Sequence, residues 1–149
     1  MGKQPEADKW LRQAADAGNV DAMVAMGGRA VGTDRTDEAH RWLSAAAASG
    51  APNALFNYGL LLVHYAQRAE EGMELWRRAA EQGHALAALN LGNLSYRMER
   101  GGDAERWFRR GADLGNAQSM FNLAMVLSAT GRALEAAQWH QRGLDAERG

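Results

Sequence analysis

Four histidines, His40, His64, His84 and His140, are the side chains of this 149-residue sequence best suited to metal or acid–base chemistry. Their spacing speaks against both. None sits in a His-Glu-x-x-His arrangement or at metal spacing from a second His. There is no Cys, which removes thiolate zinc sites, thiol nucleophiles and disulfides. No Gly-x-Ser-x-Gly elbow occurs, and Gly27-Gly28 precedes no Lys-Ser/Thr pair that would cradle a phosphate. The adjacent carboxylates Asp37-Glu38 and Glu70-Glu71 fall at expected helix starts, where they offset the helix dipole. The basic pairs Arg77-Arg78 and Arg109-Arg110 have Glu74, Glu81, Glu105 and Asp113 three or four residues away, so a solvated, charge-balanced helix face is the expectation. A helical RNA reader is the outside alternative to that balanced face. The expectation is therefore no enzyme, no catalytic residue, no metal, no cofactor and no nucleic-acid partner.

The elements that would position any working residue are helices. Ala occurs 30 times, Val five times, Thr three times and Ile never. Such a chain is poor in sheet material and rich in helix material. Its net charge of −1 supplies no long-range attraction to nucleic acid or anionic lipid. No run of about 18 apolar residues exists to cross a membrane. The segment Met1 to Asp8 is polar and acidic, unlike a secretory signal, and lacks the Ser or Thr of a myristoylation pattern. A cytoplasmic protein is expected.

Internal repetition sets the arrangement of these helices. Trp10, Trp42, Leu75, Trp107 and Trp139 form one column with steps of 32 or 33 residues. Gly18, Gly50, Gly83 and Gly115 form a second column. A third contains Gly27, Gly59, Gly92 and Ala124, and a fourth Ala39, Gly72, Ala104 and Ala136. Each period reads as two helices, with Gly ending the second and Asn19, Asn116 or Pro52 starting the next. The pattern predicts an unpaired leading helix at 5–17. Hairpins of 20–31 with 36–48, 52–65 with 69–82, 85–97 with 102–114, and 117–129 with 133–146 follow. Residues 1–149 are thus read as one helical-repeat domain, with repeats of about 19–50, 51–83, 84–115 and 116–146. Gly101-Gly102 is expected to supply the left-handed backbone of the third hairpin turn. The small columns are expected to meet where the two helices of a hairpin cross, and the tryptophans to fill the core between hairpins.

The segments Trp10 to Gly18 and Leu75 to Gly83, with Gly83-His84-Ala85 and Ala87, Leu89, Asn90, Leu91 and Gly92, resemble Sel-one-like repeats (SLR), a branch of the tetratricopeptide repeats (TPR). The resemblance runs from about Pro5 to Gly143. It implies an all-α, right-handed solenoid of antiparallel hairpins. The short turns and the period of 32 to 33 place the chain between that branch and ordinary tetratricopeptide repeats.

In such arrays the first helices line a concave wall that binds peptides. Here that wall carries an Asn column at Asn57, Asn90 and Asn122, with Ala25 in the first repeat. The resemblance implies amides that pair with a peptide backbone. The alternative is that they bond to the neighbouring hairpin and fix the stacking. Phe56, Leu89 and Phe121 precede the Asn residues, and Leu60, Asn93 and Met125 lie three residues after them. His64 and Arg97 follow one turn on. Phe56, Leu89 and Phe121, together with Val24, replace the Lys of carboxylate-clamp arrays, which removes the basis for recognising a free C-terminus. These positions are read as an apolar groove for a peptide segment of a protein partner, or else as inter-repeat core. Two further readings are self-association through the terminal helices, with Trp10 as the seal, and an adaptor or sensor module of a larger protein.

Overall fold

The computed structural model describes residues 3–149. Met1 and Gly2, and with them part of the N-terminal reading above, lie outside the described residues. Among the described residues there are nine helices and no strand: α1 (Lys3–Asp16), α2 (Val20–Val31), α3 (Thr36–Ala47), α4 (Pro52–His64), α5 (Ala69–Glu81), α6 (Ala85–Arg97), α7 (Gly101–Asp113), α8 (Ala117–Ala129) and α9 (Ala133–Arg148). Observed and expected helix ends differ by about two residues at most, within the usual ambiguity of helix termini.

The starts and stops follow from side-chain chemistry. Asn19 Oδ1 accepts the Ala22 N–H at 2.8 Å, and Asn116 Oδ1 accepts that of Ser119 at 2.8 Å. Each satisfies an N–H that a helix start leaves without an intrahelical partner. His84 does the same through Nδ1, which accepts from Ala87 N at 3.2 Å. Burial pushes the pKa of His84 down, which favours the neutral ring this cap requires. Pro52 occupies the first turn of α4. Gly18, Gly50, Gly83 and Gly115 have φ between +76° and +92°, so the column that ends the second helices is held by backbone conformation.

The turn inside the third hairpin works differently from expectation. Gly101 and Gly102 begin α7, and the left-handed residue of that turn is Glu99, with φ 59°. Its counterparts are Asp34 (φ 55°), Gln67 (φ 52°) and Gly131 (φ 79°), again 32 or 33 residues apart. Non-glycine residues at three of these four places carry a steric cost of roughly 1–2 kcal/mol each. Gln67 is exposed, so Gln67→Gly should raise stability by up to about 1 kcal/mol once the extra chain entropy of Gly is deducted. Urea unfolding checks this; an unchanged or lower midpoint would contradict it.

The chain forms two compact units, the first ending at Leu75 and the second starting at Trp76. In the first, α2 packs against α1, α3 and α4. Ala15, Ala22, Met26 and Trp42 make one core cluster, and Ala30, Ala39, Leu43 and Leu61 make the next. In the second, α6, α7, α8 and α9 surround one cluster that includes Phe108, Leu123, Leu127 and Trp139.

The tryptophans do not all behave alike. Trp42, Trp76 and Trp139 are buried and Trp107 is half-buried, whereas Trp10 is 65% exposed. α1 packs on α2 through Leu11, Ala14 and Ala15, which leaves the ring of Trp10 outside the core. The expectation of a core spacer therefore fails at Trp10.

The small columns also need correction. In the second hairpin the expected close crossing is present: a Cβ on Gly72 would lie 2.8 Å from the Gly59 carbonyl oxygen. In the first and third hairpins the absent side chain accommodates a large residue instead. Leu43 occupies the space beside Gly27, and the Phe108 ring the space beside Gly92. Glycine there is a socket for a side chain one turn beyond Ala39 or Ala104.

Candidate functional site

The residues expected on the peptide-binding wall lie on the first helices α4, α6 and α8. None of them is fully buried. Phe56, Asn57, Leu60, Leu89, Asn90, Phe121 and Asn122 are half-buried, and His64, Asn93, Arg97 and Met125 are exposed. Two show packing roles of their own. Leu89 packs on the core cluster around Phe108. The Phe121 ring lies against Gly143, where a Cβ would be 2.6 Å from it, and 5.3 Å from the His140 ring.

The Asn column splits into three behaviours. Asn122 Nδ2 donates to Asn93 Oδ1 at 2.9 Å, tying α8 to α6, while its Oδ1 accepts from Gln118 at 3.0 Å. That geometry matches the stacking alternative. Asn57 Nδ2 donates within its own helix, to Asn53 O at 2.8 Å and Asn53 Oδ1 at 3.0 Å. Its Oδ1 accepts no hydrogen bond from any described residue. Asn90 has no side-chain hydrogen bond among the described residues.

Asn57, Leu60 and His64 meet in one groove between α2 and α4, with Gly28 and Val31 on the facing helix and Tyr65 at one end. The groove has a volume of about 410 Å³, and the buried Leu43 and Leu61 line its depth. Gly28, Val31 and Tyr65 were not singled out by the sequence reading. The signal was available: Gly28, Leu60, Asn93 and Met125 are one column, and Gly is its smallest member.

The second helices carry the charge, and most of it is neutralised locally. An Arg recurs at the start of each one, at 35, 68, 100 and 132, three residues before an acid, a column the sequence reading missed. Arg35 donates to Glu38 at 2.7 Å, Arg68 to Glu71 at 2.6 Å and Arg132 to Glu135 at 2.6 Å. Arg109 bonds Glu105 at 3.0 Å and Glu135 at 2.8 Å, and Arg132 reaches Glu105 at 2.7 Å, closing a four-member ring across α7 and α9. Arg77 pairs with Glu81. Arg110 donates at 3.3 Å to the carbonyls of Ala80 and Glu81, at the C-terminal end of α5. Three of the four arginines of the basic pairs, Arg77, Arg109 and Arg110, thus have structural partners.

Hydrogen bonds from Arg109 and Arg132 hold the Glu105 and Glu135 carboxyls below the usual carboxylate range. A depressed folded-state pKa gives stability that is fully present above about pH 4.5 and is lost as pH falls through the folded value. Glu135→Gln should therefore flatten the acid limb below about pH 4.5 relative to the unmodified chain, measured by urea unfolding at successive pH values. Parallel limbs would show that the ring contributes nothing.

His40 belongs to a smaller network. Tyr58 Oη lies 2.9 Å and Arg68 Nη1 3.4 Å from His40 Nε2, with the Tyr58 and His40 rings edge-on at 5.3 Å. Arg68 can only donate, so Nε2 is the acceptor and the ring is held between α3, α4 and the start of α5. Among the described residues no group of three or more His, Asp or Glu is arranged to hold a metal ion. No helix there is long and apolar enough to cross a membrane.

No protein-family model matches the sequence, and no curated protein matches it at a significant level. Solved structures do match in fold. A protective antigen of uropathogenic Escherichia coli strains, displaying an SLR fold, superposes with a TM-score of 0.76 at 25% identity, covering 91% of this chain and 32% of the antigen. This chain thus spans about a third of that structure. A Sel1 repeat protein from Oxalobacter formigenes gives a TM-score of 0.72 at 21% identity, over 95% of this chain and 69% of that one. MamA gives a TM-score of 0.71 at 16% identity, over 95% and 87%.

Proposed function

We propose, from the premise that this chain is an all-α repeat protein with the SLR/TPR type of solenoid fold, that it is a non-catalytic scaffold for a protein partner. In this reading a peptide segment of the partner lies along the first helices, the concave wall of such arrays, and the protein acts in the cytoplasm. The observation that carries the proposal is the α2–α4 groove, in which Asn57, Leu60 and His64 converge from the sequence-derived wall. Fold analogy supports a scaffold only as a class, so the site must carry the specific claim. The test is to replace Asn57, Asn90 and Asn122 by Ala, establish an unchanged helix signal, and compare captured partners by mass spectrometry. Loss of specific captures is expected. Identical recovery with an intact fold would remove the Asn wall from the function.

A second reading rests on Trp10. A 65%-exposed indole on α1 is a ready apolar contact for another copy. Light scattering over rising concentration should then show a dimer that Trp10→Ala abolishes. A monomer at every concentration would overturn this reading.

A further inference from the structure

The two units treat the same register position in opposite ways, and that difference selects what the groove can hold. In the second unit the column position facing the Asn122 amide is Asn93, which bonds it at 2.9 Å and ties α8 to α6. In the first unit the equivalent of Asn93, one hairpin earlier on the facing helix, is Gly28. A Cβ built there would meet nothing within 4 Å. Asn57, the counterpart of Asn122, has no partner across the groove among the described residues and turns its NH₂ back to Asn53. A helix-interior Gly costs roughly 1 kcal/mol against Ala. At Gly27 the buried Leu43 side chain occupies the vacated space, whereas at Gly28 no side chain among the described residues does so.

The charge distribution narrows the occupant. Of the 17 basic and 18 acidic residues, only Asp21, Arg29 and Arg97 lie on the first helices. Arg29 is paired with Asp8 at 2.6 Å. The lining of the groove contains no Asp, Glu, Lys or Arg. A charged segment would lose hydration there and find no counter-charge. An uncharged one loses nothing comparable, and its backbone N–H can donate to the open Asn57 Oδ1.

We infer that Gly28 opens an anchor slot between α2 and α4 for one large aliphatic or aromatic side chain of an uncharged, extended peptide segment. This deepens the scaffold reading above and rests on it. At the equivalent place in the second unit the Asn122 amide is already bonded to Asn93, so the open acceptor and the vacant Gly position coincide in the first unit. Gly28 acts as the specificity-determining residue, Asn57 as the backbone acceptor, and Val31 and Leu60 as the apolar walls.

The test uses the full chain on an array of capped heptapeptides that vary the central residue and the charge of its flanks, at about 0.05 M and about 0.5 M salt. Peptides with a central Leu, Phe or Trp and neutral flanks should bind at both salt concentrations. Gly28→Leu places a side chain of its own in open space, so it keeps the fold while weakening these peptides by about tenfold or more. Gly28→Ala, which only partly fills the slot, should weaken them less. A preference for charged flanks that fades with salt, or binding indifferent to Gly28→Leu, overturns the inference. Binding that survives Gly28→Leu but is lost in Met125→Glu leaves the scaffold reading standing and places its site in the second unit. Failure of every peptide at both salts counts against both.

Discussion

Phe108→Ala is expected to lower the unfolding free energy by about 3–5 kcal/mol, the range for truncating a buried aromatic ring. Phe108 is 1% exposed in the cluster it shares with Leu123, Leu127 and Trp139, and its ring fills the socket made by Gly92. The socket provides an internal control. Gly92→Ala alone drives a methyl into the ring and should cost about 1–3 kcal/mol through overpacking. In a Phe108→Ala background that clash disappears, and Ala at 92 regains helix propensity of roughly 1 kcal/mol. The double variant should then be more stable than the sum of the two single losses requires, a coupling that urea unfolding of all four proteins measures. Strict additivity would mean that the ring and Gly92 do not share the space assigned to them.

Gly72→Ala is the second large effect. The added Cβ would lie 2.8 Å from Gly59 O, 3.3 Å from Val63 N and 2.5 Å from Val63 Cγ2. A side chain can rotate aside, but a carbonyl held in the helical ladder cannot, so α4 and α5 must separate locally. Other contacts along the hairpin then loosen, and a loss of about 2–3 kcal/mol is expected. Gly28→Ala is the matched opposite, since it meets nothing within 4 Å and should gain up to about 1 kcal/mol from helix propensity. The two midpoints should therefore move in opposite directions under thermal or urea denaturation. A Gly72→Ala protein as stable as the parent would refute the close crossing.

What was legible in the sequence is what depends on local chemistry or on a fixed period. Helix ends are written in Asn19, Pro52, His84, Asn116 and the glycine column Gly18, Gly50, Gly83 and Gly115, because a cap or a left-handed residue acts within one turn of itself. The period of 32 or 33 residues placed all the hairpins, since a repeating side-chain size demands a repeating geometry. Charge balance was equally readable: Arg77 finds Glu81 and Arg109 finds Glu105 four residues away along one helix.

Tertiary structure decided the features that need two elements at once. Glu99, rather than Gly101 or Gly102, takes the left-handed place in its turn, because the position of the next helix sets which residue must bend. Trp10 and Trp42 occupy the same column, yet one is 65% and the other 6% exposed, since burial depends on what packs against a face. Gly27 and Gly28 are identical neighbours in sequence, but they point about a quarter-turn apart on the helix, one against Leu43 and the other into open space. The Asn column likewise reads as uniform. Only the residue on the facing helix, Gly28 in one unit and Asn93 in the other, determines whether its amide is engaged across the groove.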